Sequence, residues 1–175
     1  MKQILISIII LISTNLSAKM IISPFDVMKS SFGQTAEITK KNILLKKSQA
    51  KKISKSAKAK LSSKIFRVFK ATKDDKLLGY GILVSRVMRT KNAVILYLVS
   101  KDSTLKGIEI IAFNEPPEYI PSKTWSKQFE NLPSDKRLVL SKDIPTITGA
   151  TLSARSFVDG SRIALAFYEE VLKGK

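Results

Sequence analysis

Cysteine and histidine are both absent from the 175 residues. Without cysteine there is no disulfide, no iron–sulfur cluster, no thiol nucleophile, no haem attachment through Cys-x-x-Cys-His and no lipid-modified N-terminal cysteine. Without histidine there is no Ser-His-Asp triad and no ordinary zinc site. Any redox work must then be carried by a bound organic cofactor. Acidic residues are also scarce, 14 against 31 Lys and Arg, for a formal net charge of +17. Such a balance points to anionic membrane surfaces, acidic proteins or nucleic acid. Nucleic acid fits worst, because the excess is mostly lysine concentrated in one segment, without interleaved aromatics or an arginine-rich reading surface. No nicotinamide-binding fingerprint occurs either.

The first residues read as an address. Lys2, an apolar run from Ile4 to Ile12 broken by Ser7, and the small polar stretch Ser13 to Ala18 have the three regions of a secretory signal peptide. The run is too short to span a bilayer as a helix. Residues 1–18 are therefore expected to be a signal peptide and the protein to be exported, periplasmic or otherwise extracytoplasmic, with an uncleaved anchor as the competing reading.

Residues 19–63 form the lysine-rich part. Pro24 and the junction Ser30-Ser31-Phe32-Gly33 precede a run from Lys40 to Lys64. Ile43, Ala50, Ile53, Ala57 and Leu61 fall at helical offsets, with Lys47, Lys51, Lys52, Lys55, Lys58 and Lys60 around the rest. An amphipathic helix is expected. It is either docked on the domain with its lysines in solvent, or a face for anionic membrane or an acidic partner; two alanines on the apolar stripe weaken the membrane option.

From Lys64 the period becomes strand-like. Ile65–Ala71, Leu77–Met88, Ala93–Val99 and Leu105–Phe113 are apolar runs separated by short polar breaks. They predict an α+β fold, a four-stranded antiparallel meander with helices covering it. After the fourth run comes a proline-stiffened loop, Glu115-Pro116-Pro117-Glu118-Tyr119-Ile120-Pro121, and then Trp125 and Phe129, at i and i+4 and so expected in the core. Arg155 to Leu172 reads as a final helix with Phe157, Gly160, Ile163, Ala164, Phe167 and Val171 along one face.

The stretch best suited to chemistry is Thr148-Gly149-Ala150-Thr151-Leu152-Ser153. It joins Ile144-Pro145-Thr146-Ile147, held extended by its proline, to that final helix. Gly149 would let backbone approach a ligand, and Thr151 and Ser153 offer hydroxyls beside N–H groups that the helix cannot pair internally. The combination suits an anion such as phosphate. A plain helix cap by Thr148 or Thr151 is the simpler alternative.

The same six residues resemble the Ser/Thr-Gly-Ala-Thr-x-Ser/Thr signature of the FMN-binding domain family, found in flavin-carrying subunits of sodium-translocating NADH:quinone reductases and Rnf-type complexes and in small exported flavoproteins. Gly79-Tyr80-Gly81, and Phe113 to Tyr119 followed by Trp125 to Phe129, are similar to further family stretches, so the likeness runs from about residue 60 to 172. The resemblance implies FMN as cofactor, bound by Thr148, Gly149, Ala150, Thr151, Leu152, Ser153 and Glu115 within a domain spanning 64–175. It implies a phosphodiester between FMN and Thr151, made by a separate flavin transferase that takes FMN from FAD. Glu115 would accept a hydrogen bond from the flavin ring or a ribityl hydroxyl. One position departs from the pattern: the family has Asp six residues before the flavin threonine, and here Pro145 stands there, with Asp143 the nearest acid.

Three functions are consistent with these features. The first is an exported electron carrier, rather than a stand-alone enzyme, passing electrons between membrane and extracytoplasmic partners. The second holds flavin without a covalent bond. The third is an envelope adaptor that uses its basic helix and carries no flavin.

Overall fold

The computed structural model describes residues 20–174, so the expected signal peptide lies outside the described residues. In order these form helix α1 (Pro24–Phe32), strand β1 (Glu37–Leu44), helix α2 (Lys47–Ala57), strands β2 (Ile65–Lys73), β3 (Lys76–Val87), β4 (Asn92–Ser100) and β5 (Thr104–Phe113), a short helix α3 (Lys123–Ser126), the two-residue strand β6 (Leu132–Pro133) and helix α4 (Thr151–Phe167). The chain closes with a π-helical turn over Tyr168–Leu172.

The sheet is an antiparallel meander in the order β1 to β6. The α+β class and the four central strands agree with the sequence expectation, but there are six strands, not four. Residues 40–44, expected at the start of the lysine-rich helix, instead belong to β1, which pairs along its whole length with β2. Ile43 is therefore a strand residue packed on the core, and the helix is confined to Lys47–Ala57. Residues 24–57 supply an edge strand and two helices to the same sheet. The first, α1, begins where Ser23 caps it and Pro24 opens it, and stops at Gly33, φ 113°.

One face of the sheet carries the main core. Phe66, Val68, Ile82, Val84, Ile95, Tyr97 and Val99 meet Phe157, Ile163, Ala164 and Phe167 of α4, with Ala50, Ile53 and Ala57 of α2 beside them. Phe66 stacks on Phe167 at 4.3 Å. This spends the apolar stripe of α2 inside the protein, so its lysines lie in solvent on a docked helix. On the other face Val27 and Met28 of α1 cover Phe69, Ala71, Leu96, Leu98 and Ile111. Gly79 and Gly81 make that approach possible, since a Cβ at either would overlap Phe32 or the Met28 sulfur.

Candidate functional site

Four contacts assemble the loops around the start of α4. Asn114 N–H reaches the Asn92 carbonyl at 3.3 Å. The Ser156 hydroxyl donates to the Val87 carbonyl at 2.8 Å, tying the second turn of α4 to the end of β3. The Trp125 indole N–H donates to the Pro145 carbonyl at 2.9 Å. Arg89 lies over the Tyr119 ring at 4.3 Å. Trp125 also packs edge-on against Phe129 and Phe157, so the expected core placement of Trp125 and Phe129 holds.

Within this frame the hydroxyl-rich stretch is a β-turn running into a helix. Ala150 N–H bonds the Ile147 carbonyl at 2.9 Å, leaving Thr148 and Gly149 as the central pair, with Gly149 at φ 75°. A positive φ at the third residue is the requirement of a type II turn, which glycine meets without strain. A Cβ at Gly149 would meet nothing within 4 Å, so the turn faces open space. The cap of α4 is Ala150, whose methyl offers no acceptor. Neither Thr148 nor Thr151 closes the helix, contrary to the simpler reading.

Three features make this turn fit a phosphate. The N–H groups of the first turn point outward with no side-chain cap, at the positive end of the helix. Thr148 and Thr151 are exposed, and neither hydroxyl has a hydrogen-bond partner among the described residues. The Ser153 hydroxyl is fully buried beneath and likewise lacks a partner. Leu152 stands half out into solvent. Arg155, one helical turn beyond Thr151 on the same face, is an exposed cation next to the turn. Arg155 is not among the residues that the motif singles out; its i+4 spacing from Thr151 is the signal that marks it.

Glu115 is built differently from the rest. It is buried, and its Oε1 accepts the backbone N–H groups of Arg89, Thr90 and Lys91 at 3.0, 2.5 and 2.8 Å. Thr90 Oγ1 lies 3.3 Å from each carboxylate oxygen. These donors, above all Lys91 and Thr90, hold the carboxyl down at about 2. Its geometry is that of a clamp on the β3–β4 hairpin, which residue spacing gave no way to foresee. Asp143 is committed too: Val139 N–H donates to one oxygen at 2.9 Å and Lys136 pairs with the other at 3.1 Å, which keeps its carboxyl below the usual range.

A groove of about 250 Å³ opens elsewhere, among β1, β2 and β3, and none of residues 148–153 or Glu115 lines it. The candidate site is thus an open surface turn beside a clamped hairpin. Residues 91–166, from the hairpin through β4, β5 and the loops to α4, match the family model of the FMN-binding domain. Over that span the chain is similar to the FMN-binding domain. FMN is the cofactor that goes with it. Residues 60–90 of the wider likeness lie outside the match, and no curated protein matches the chain. The turn, Glu115 and Trp125 all fall inside the matched span.

Proposed function

We propose that this protein is an exported electron carrier in which FMN is esterified through its phosphate to Thr151. The observation that carries the reading is the placement of Thr151: an exposed, unpartnered hydroxyl on the first residue of α4, beside uncapped N–H groups. The phosphate would lie against those N–H groups and the positive end of the helix, with Arg155 supplying countercharge from the next turn. Ser153 Oγ would turn toward it, gaining the partner that it lacks. Bound FMN supplies one- and two-electron chemistry, and the protein sets its exposure.

The Thr151 hydroxyl must lose a proton to be esterified, and no histidine exists in the chain to take it. Asp143, with both oxygens engaged, is poorly placed to serve. The base comes from outside, which is the role of a separate flavin transferase. A second reading, non-covalent FMN, is favoured by Pro145, whose carbonyl is spent on Trp125 where the family pattern has an acid.

Intact-protein mass after export in a host with an active flavin transferase tests the proposal. Wild type should gain one FMN minus water and Thr151→Ala should not. A yellow protein of unmodified mass, losing its colour on acid precipitation, would establish the second reading instead. A colourless, unmodified wild type would leave the envelope-adaptor role standing and end the electron-carrier one.

A further inference from the structure

We infer that the sheet end formed by the tips of β1, β2 and β3 is a docking surface for an anionic lipid membrane. The inference does not depend on flavin attachment. Leu44 lies opposite Ile65 in the β1–β2 ladder, and Arg67, two residues on, lies opposite Leu83 in the next. Alternation then places Leu44, Ile65 and Val87 on one face of the sheet, the face that α1 covers only at its other end. They are 71%, 59% and 55% exposed, while apolar residues further down the same face are buried under α1. Three neighbouring large apolar side chains in water are costly for a solitary surface and suited to insertion among lipid head groups.

The charge around them is of one sign. Residues 42–47, 58–67 and 83–94, which make up this end, contain two, four and three Lys or Arg, nine in all, and no Asp or Glu. Arg86 turns inward to pair with Asp159. The acids of the adjoining loop are Glu115, saturated by hairpin N–H groups, and Glu118. At the opposite end of the sheet stand Glu37, Asp74, Asp75 and Asp102. At that opposite end these acids are interleaved with Lys73, Lys76 and Lys101, so charge there is mixed, whereas the β1–β3 tips combine exposed apolar side chains with charge of one sign, the pairing that suits anionic head groups.

The chain path points the same way. Met20 bridges Ala112 and Ile21 N–H bonds the Ile111 carbonyl at 2.8 Å, so the first described residues lie at this end of the sheet. Met20 and Ile21 add 61% and 55% exposed apolar side chains to it. Ser156 binds Val87 from the turn of α4 next to Thr151, so a docked protein would hold its flavin turn near the membrane.

The absence of cysteine makes a direct test available. Ile65→Cys and Asp75→Cys, each in the full chain recovered after export, would carry one environment-sensitive dye. With phosphatidylglycerol-containing vesicles the dye at position 65 should shift to the blue, the shift fading with added salt and absent on pure phosphatidylcholine, while the dye at position 75 stays unchanged. Adding Leu44→Ser and Val87→Thr to the Ile65→Cys chain should weaken that response about tenfold or more. Vesicle binding without a signal at position 65 would mean a tether through residues 1–19 alone and would overturn the inference. So would equal shifts at both positions, or a shift at position 65 that grows with protein concentration in the absence of lipid, the sign of a second copy on this face.

Discussion

The indole of Trp125 holds the carbonyl of Pro145 at 2.9 Å, and through it the segment that leads into the Thr148–Ser153 turn. Trp125 is itself fixed in the core by Phe129 and Phe157. Trp125→Phe keeps an aromatic ring but removes the donor, at a cost of about 1–2 kcal/mol from the lost hydrogen bond and the smaller ring. Urea unfolding followed by circular dichroism reads the loss. Residues 145–150 would lose their anchor, so flavin loading in the presence of the transferase should fall as well. Unchanged loading would mean that the turn holds its shape without Pro145.

Glu115 gives a pH signature. Its carboxyl is held at about 2 in the folded protein against an ordinary 4.5, so the folded state binds this proton less readily than the unfolded one. The stabilisation is therefore fully present above 4.5 and is lost as pH falls from there toward 2. Glu115→Gln should lower Tm near neutral pH, and the gap from wild type should close as pH is lowered through that window. A gap that stays constant with pH would show that the clamp on the Arg89, Thr90 and Lys91 N–H groups is not electrostatic.

The central strands were legible because each is apolar and bounded by polar breaks, and α4 because its stripe repeats at helical spacing. Strand β1 was not, for a physical reason. It is an edge strand with only Ile38 and Ile43 half-buried, one on each face of the sheet, and lysines between them. Charged edges of this kind discourage pairing with other chains and erase the alternation that marks a strand. Its Ile43 then lines up with Ala50 and Ile53 by accident of spacing. At the site, the motif located the turn, but the occupation of Glu115 depends on a hairpin more than twenty residues away in sequence.

Gly160 was placed on the apolar stripe of α4, and the structure shows what the missing side chain permits. A Cβ there would overlap the Tyr97 hydroxyl, which is fully buried and donates to the Phe157 carbonyl at 3.0 Å. Burial also drives the Tyr97 phenol far above its ordinary range, so it stays protonated as that donor. Gly160→Ala should cost about 1–3 kcal/mol from overpacking despite alanine's better helix propensity. Tyr97→Phe removes the atom in conflict, so the double variant should recover part of the loss. A double variant no more stable than the sum of the single changes would place the strain elsewhere in α4.

Ser153 separates empty from loaded protein by the sign of one substitution. Its hydroxyl is sealed from solvent without a partner, a state that costs about 1–3 kcal/mol when nothing satisfies it. Ser153→Ala removes that penalty, leaves almost no cavity and improves helix propensity, so the flavin-free variant should melt above wild type. If the hydroxyl is kept for the flavin phosphate, the order changes on loading: wild type gains a hydrogen bond that the variant cannot make, and its Tm should rise more. Melting both proteins, produced with and without the transferase, gives the four values needed. Equal gains on loading would free Ser153 of any part in holding the flavin, and a flavin-free variant less stable than wild type would reveal a partner for its hydroxyl.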